Sequence, residues 1–184
     1  CADVRGPIYL WYSIRFQQLA LAIFGIAAAN TLVPLLSRMI KRGEIEKGKE
    51  IFAFGVRHIL TLMFSVTLAI LALGYFAIDL VYGRGSFSNY AVHQTTYFFW
   101  AYSIGLIPTA LIILHSAVFY AEGNFRAPTC VALIVVGIHI IFNSFFIFGL
   151  RLGPMSIALA TSLSSWVNYF ILRYLLVKKG WFSR

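Results

Sequence analysis

The sequence predicts an all-α integral membrane protein with about five transmembrane helices, part of a larger helical bundle. Three observations carry that reading. Of 184 residues, 60% are hydrophobic and 11% are charged, whereas soluble domains carry about 25% charged residues. The mean hydropathy is +0.83. Five apolar stretches lie near residues 10–37, 54–81, 94–120, 128–149 and 154–177. Each reaches the roughly 20 residues that a helix needs to cross a hydrocarbon core. Together they take up most of the chain and leave no room for a soluble domain.

The charges set an orientation. The formal net charge is +9, and in a membrane protein Lys and Arg first report topology, because they accumulate in cytoplasmic loops. Arg38, Lys41, Arg42, Lys47, Lys49 and Arg57 follow the first stretch or open the second, Arg126 follows the third, and Arg173, Lys178, Lys179 and Arg184 end the fifth. Arg5, Arg84 and Arg151 fall on the other side. Segments 39–53, 121–127 and 178–184 are therefore expected to be cytoplasmic, and 82–93 and 150–154 external. The alternation is that of an odd number of spans. Cations that bracket apolar helices in this way argue against nucleic acid as a partner.

The first stretch contains Arg15, with nothing acidic near it in sequence. Charge is expensive in a bilayer, so an intramembrane Arg is a functional-site candidate. Small residues follow it (Ala20, Ala22, Gly25, Ala27, Ala28, Ala29), and such residues let helices approach closely in lipid. Gln17, Gln18 and Asn30 in the same stretch need partners or water. Residues 41–50, KRGEIEKGKE, read as a short polar cytoplasmic link, a solvated loop or a short surface helix, in which Glu46 and Glu50 can pair with nearby Lys and Arg. The second stretch is apolar on all faces through its middle, as suits lipid contact, with Arg57 and His58 placed to snorkel at its cytoplasmic end.

The third stretch opens with Tyr97, Phe98, Phe99, Trp100 and Tyr102, an interfacial aromatic belt. Pro108, three residues after Gly105, predicts a mid-helix kink. His115 lies further on and is expected to bond a neighbouring helix. In the fourth stretch, Cys130 reads as a small buried residue, and His139 and Asn143 are four apart, hence on one helical face. Polar groups at that depth should face protein or water. In the fifth, Ser156, Ala160 and Ser164 recur at four-residue spacing, with Ala158 and Ser162 interleaved, a tight packing face.

Enzyme chemistry is not indicated. The spans hold no paired carboxylates, and the chain has no HExxH, GxSxG, P-loop or Cys/His metal spacing. No cofactor and no metal are expected. Cys1 and Cys130 are the only cysteines and support no disulfide framework. The chain does not begin with Met and shows no signal peptide. Residues 1–7 read as a loop cut from something longer, so a fragment of a larger membrane protein is expected.

Four motifs together resemble the lipid II flippase family, MurJ or MviN, of the multidrug/oligosaccharidyl-lipid/polysaccharide exporter superfamily. They are Tyr12-Ser-Ile-Arg15-Phe running to Leu32-Val-Pro34-Leu-Leu-Ser37-Arg38, then Tyr82-Gly83-Arg84-Gly85-Ser86-Phe87-Ser88, then Phe119-Tyr120-Ala121-Glu122-Gly123-Asn124-Phe125-Arg126-Ala127-Pro128, and finally Gly153-Pro-Met-Ser-Ile-Ala-Leu-Ala160-Thr161-Ser162 through Asn168. Ile14 stands where the family often has Asp, Ala20 where it often has Pro, and Ala127 where Thr usually precedes Pro128.

The resemblance implies helices eight to twelve of a fourteen-helix protein of the bacterial cytoplasmic membrane, whose missing helices are partners of this chain. It also implies alternating-access transport of a lipid-linked peptidoglycan precursor from the inner to the outer leaflet. The anionic pyrophosphate cannot cross hydrocarbon bare, and a guanidinium binds phosphate oxygens bidentately. The family's matching Arg lines its central cavity, which makes Arg15, with Tyr12 and Gln18 beside it, the expected substrate-binding group. His139, Asn143 and Thr161 are candidates for a cation site, and Pro108 for gating. Two rivals stand beside this reading: another exporter of the superfamily, moving a different polyprenyl-linked glycan or a drug, and a structural membrane protein without transport. For Arg15 the alternative role is snorkelling to headgroups.

Overall fold

The computed structural model describes residues 6–83 and 87–181. Arg5, Arg84 and Arg184, counted in the charge asymmetry, lie outside them, as does the Arg84–Ser86 part of the second motif. Among the described residues the chain is helices joined by turns. The first apolar stretch forms α1 (Gly6–Ala20), a π-helical turn (Leu21–Ile26) and α2 (Ala27–Lys41), without a non-helical residue between them. The second is α3 (Ile45–Tyr82). The third is α4 (Asn89–Ser103) and α5 (Leu106–Ala121), bent by 40° where they meet. The fourth is α6 (Arg126–Ser144), ending in a π-helical turn (Phe145–Gly149), and the fifth is α7 (Met155–Lys178).

By length and apolar composition three single helices qualify as spans, α3, α6 with its π turn, and α7, and the bent pair α4–α5 makes a fourth. Each half of the first stretch is only 15 residues long. Large apolar side chains cover the outside, among them Phe54, Phe64, Phe76, Leu80, Leu133, Ile141 and Phe148. A soluble monomer rarely shows contiguous apolar surface on that scale.

The helices stop where the backbone has a way out. At one end α2, α5 and α7 all finish in the same glycine motif. Gly43, Gly123 and Gly180 take φ near +75°, and the next residue's N–H reaches back to a carbonyl five residues earlier (Glu44 to Met39, Asn124 to Phe119, Trp181 to Leu176). This is the left-handed C-terminal cap that glycine permits. Trp181 then packs edge-on to Phe52 and donates Nε1–H to Glu122 Oε1 at 2.8 Å. Lys179 pairs with the same carboxylate. Most of the basic residues gather at this end. At the opposite end the start of α1 meets the start of α7, so closely that a Cβ on Gly6 would lie 2.3 Å from Pro154 Cγ.

The bent pair occupies the centre. Leu106, Ala110, Leu111, Leu114, Val118 and Phe119 of α5 are buried in the main apolar cluster, with Leu36 of α2, Phe52 and Met63 of α3, and Leu172 and Leu176 of α7. Tyr9 and Leu10 of α1, Phe98 and Tyr102 of α4, and Ala158 of α7 form a second cluster at the opposite end. Lipid tails are as apolar as leucine, so close packing and cross-helix hydrogen bonds hold such a bundle together. The small-residue face of α7 does this: Ser156, Ala158, Ala160, Ser162 and Ser164 are all buried. On the first stretch only part of the expected face packs inward. Gly25 and Ala29 are buried, with Gly25 against Ala110 and Ile113, whereas Ala22 and Ala27 are exposed.

Three expectations need correction, and a fourth gains a position. Residues 45–50 are not a separate link but the first turns of α3, whose 38 residues make it ~57 Å long at 1.5 Å per residue. Its pairs, Lys47–Glu44 at 3.0 Å and Lys49–Glu46 at 2.7 Å, sit on that extension. The expected bend of the third stretch lies at Ile104–Gly105, a turn ahead of Pro108. Proline blocks the helix on its N-terminal side, because its ring clashes with the carbonyl four residues earlier and its N–H is missing. Cys130 is exposed: α6 buries only Pro128, Val131 and Val135, a seam too narrow to include it. Buried His115 bonds within its own helix, from Nδ1 to Leu111 O at 2.7 Å, and it meets the neighbouring helices through its ring, edge-on to Phe52 and Tyr169.

Candidate functional site

Arg15 lies on α1, exposed, beside Val81 and Tyr82 at the far end of α3. These residues, with Phe16 and Leu19, line an open cleft of about 360 Å³. Two neighbours on its own helix hold the guanidinium. Nη1 donates to Gln18 Oε1 at 3.2 Å, and Cζ sits 4.7 Å from the centre of the Trp11 ring. Among the described residues no carboxylate pairs with it. The charge is thus braced by a dipole and an aromatic face, and most of its five N–H donors stay open to an external acceptor.

Sequence reasoning missed Trp11, although a cation four residues after an aromatic on a helix is a readable signal. Tyr12 sits among aromatic rings. Its ring packs with Trp11, Tyr82 and Phe87 at centroid distances of 5.3, 4.5 and 5.5 Å, a cluster that ties α1 to the end of α3. Gln17, one turn further in, is buried and donates to Tyr102 O at 3.1 Å, which joins α1 to α4.

The second group of candidates lies between α6 and α7. His139 Nδ1 is 3.4 Å from Ser164 Oγ. The antiparallel register that sets these two opposite each other brings Asn143 opposite the Ala160–Thr161 region. Asn143 Oδ1 is buried and has no hydrogen-bond partner among the described residues. Thr161 Oγ1 donates to Ile157 O at 2.7 Å, so its proton is committed to its own helix and only its lone pairs remain. The described residues contain no group of three or more His, Cys, Asp or Glu side chains able to hold a metal. This locus offers neutral oxygens and one imidazole.

Pro108 defines a third locus. Its missing N–H frees the carbonyl of Ile104, and Trp166 Nε1 of α7 donates to that oxygen at 3.2 Å. The turn at Gly105 bonds back to Tyr102 O at 3.0 Å rather than to Ala101. Ser162 Oγ of α7 takes up the freed Ala101 carbonyl at 2.7 Å. Both carbonyls released by the bend are satisfied by one neighbouring helix. An unpaired carbonyl is costly in lipid as in a protein interior, so these two bonds favour the bent form.

Long apolar helices packed through small residues, with cross-helix hydrogen bonds at a broken span and a lone guanidinium at a cleft, define a polytopic membrane protein of the helical-bundle type. The chain belongs to the lipid II flippase MurJ family, whose sequence model matches residues 2–183. It is 35% identical over 171 residues to a probable lipid II flippase MurJ of Chlamydia muridarum, covering 92% of this chain and 31% of that protein. It is 29% identical over 164 residues to one from Vibrio cholerae, covering 89% and 31%. The fold matches a solved structure titled lipid II flippase MurJ, inward closed conformation, with a TM-score of 0.76, 26% identity, and 95% of this chain and 36% of that one covered. The chain therefore spans about a third of the length of the curated relatives it matches.

Proposed function

We propose that this chain is the part of a lipid II flippase that holds the pyrophosphate of the lipid-linked peptidoglycan precursor during alternating access. The observation that carries the reading is Arg15: a guanidinium at an open cleft with no carboxylate partner among the described residues, braced by Trp11 and Gln18. A structural Arg in a membrane protein is normally paired. One that keeps its donors free suits a polyanionic ligand, which it can bind through two parallel N–H···O contacts. No bond is made or broken on this reading, so the protein is a transporter and not an enzyme. The test is reconstitution of the full-length protein in vesicles with fluorescent lipid-linked precursor. Transfer between leaflets above that of empty vesicles supports the reading, and transfer only of a different polyprenyl-linked glycan replaces it.

The proposal includes the topology. The first stretch is a fifth span, running unbroken through its π turn, and the Gly43, Gly123 and Gly180 turns lie on the cytoplasmic side of a bacterial inner membrane. The support is the gathering of Lys and Arg at that end. Lys47→Cys, on the projecting start of α3, should react with a membrane-impermeant maleimide only after the membrane is opened. Labelling of intact cells from outside would reverse the orientation. His139, Asn143 and Thr161 remain the candidates for a coupling cation, supported by the unpartnered Asn143 oxygen.

A further inference from the structure

Arg151 stands in a conformation that the rest of the described chain gives only to glycine. Gly43, Gly123, Gly153 and Gly180 take positive φ, and so does Arg151, at 54°. Arg151 follows the π turn that ends α6, and the next N–H, that of Leu152, reaches back to Phe146 O at 3.1 Å. In this left-handed region a Cβ crowds the following carbonyl, whereas glycine closes such a turn without the clash. Strained residues of this kind cluster at ligand clamps. Arg151 is exposed, and its guanidinium has no ion pair or hydrogen bond among the described residues. Leu150 and Leu152 on either side of it, and Phe148 just before, are exposed as well. Apolar side chains around a free cation fit a membrane surface, with the apolar groups among acyl chains and the guanidinium at the level of the phosphates. Leu152 also borders a recess of about 200 Å³ where the starts of α1 and α7 meet α4. Tyr90, Gln94 and Tyr97 of α4 form one wall, at a spacing that puts them on one helical face. The Gln94 side chain forms no hydrogen bond among the described residues, so its amide offers both a donor and an acceptor to whatever enters.

We propose that Arg151 and this recess bind the head of an anionic phospholipid with a polyol headgroup, of which phosphatidylglycerol is the simplest. The guanidinium takes the phosphodiester through charge-assisted N–H···O bonds. The Gln94 amide and the phenol groups of Tyr90 and Tyr97 take the headgroup hydroxyls. The acyl chains lie over Leu150 and Phe148. A choline head fits less well, because a quaternary ammonium has no hydrogen to give Gln94 and brings a second cation beside Arg151. The site does not involve Arg15. Its leaflet, the outer one, rests on the topology proposed above.

The experiment places a benzophenone amino acid at Tyr90 in the full-length protein, with a control at Leu133 on the exposed face of α6. The protein is held in phosphatidylcholine nanodiscs, which present both leaflets, so the result does not depend on orientation. Equal traces of tritiated phosphatidylglycerol and, separately, tritiated phosphatidylcholine are photolysed. Position 90 should take several-fold more of the phosphatidylglycerol label, and position 133 equal amounts of the two. Arg151→Gly should remove the preference at position 90, and Gln94→Leu should reduce it. Arg151→Gly should also melt at or above the wild-type temperature, because it relieves the turn. Equal labelling of position 90 by the two lipids overturns the proposal, as does a preference for phosphatidylcholine, which would make the aromatic walls the determinant. A preference that survives Arg151→Gly overturns it too. So does an Arg151→Gly protein that melts below the wild type, since the side chain would then serve the fold. Loss of the preference in excess soluble glycerol phosphate would mark a site for free phosphate and not for a lipid head. The leaflet is read separately: if Lys47→Cys reverses the orientation while position 90 keeps its preference, the topology fails and the site stands.

Discussion

Arg15→Ala should abolish complementation of a strain depleted of its own flippase, while the variant is made and inserted at normal levels. The two halves of that outcome have separate causes. Arg15 is exposed, donates one side-chain hydrogen bond, to Gln18, and lies over one ring. Exposed contacts of this kind contribute about 0.5–1 kcal/mol each, so the fold should survive the truncation. Function should not. Hydrogen bonds to charged groups are worth about 1.5–3 kcal/mol each, and a bidentate grip on phosphate loses two. A loss of 3 kcal/mol or more is on the order of a hundredfold in an equilibrium constant, at about 1.4 kcal/mol per tenfold.

Arg15→Lys should fall between, since an ammonium keeps the charge but loses the planar fork. Trp11→Ala should weaken transport less than either, because it removes the brace and leaves the donors. Quantitative immunoblotting of membranes must accompany complementation. A well-expressed, inserted Arg15→Ala that still moves the lipid precursor would leave Arg15 as a headgroup-level snorkel.

The reach of the sequence is clearest where local and non-local causes part. Five apolar stretches became helices because span length is a local property of composition. The basic turns gathered at one end because helices joined by short loops alternate in direction. Arg15 stood out because an isolated charge in an apolar run is visible without neighbours. Its brace was half visible: Gln18 was a candidate by type, whereas Trp11 was missed. The bend was signalled by Pro108, but its place depended on which carbonyls could find new donors, and those donors sit on α7. Nothing local to α4 or α5 identifies Trp166 or Ser162 as their caps. The π turn at Leu21–Ile26 also left no sequence signal that we can name, although such turns recur at functional sites.

Gly105→Val should be the most damaging substitution to the fold itself. A Cβ at position 105 would lie 2.8 Å from Ser162 Oγ and 2.9 Å from Ser162 Cα. The hydroxyl can rotate away, but the Cα is backbone, so α7 must shift as a body. That shift lengthens the two bonds that cap the bend, Ser162 Oγ to Ala101 O at 2.7 Å and Trp166 Nε1 to Ile104 O at 3.2 Å. Overpacking of this kind costs about 1–3 kcal/mol, and cross-helix hydrogen bonds in membranes are worth about 0.6–2 kcal/mol each. The sum is several kcal/mol, a large part of the roughly 5–15 kcal/mol that holds a folded protein together.

The expected readout is a lower melting temperature in detergent and less protein in the membrane. Pro108→Ala serves as the contrast. It restores an N–H that can reach Ile104 O and adds no atom near α7, so it should be close to neutral for stability. Ser162→Gly removes the Oγ and Cβ contacts but leaves the Cα, so it should rescue Gly105→Val only in part. A Gly105→Val protein that melts with the wild type would show that α7 is not seated against the bend. The capping of the bend by Ser162 and Trp166 would then not be what holds α7 against α4 and α5.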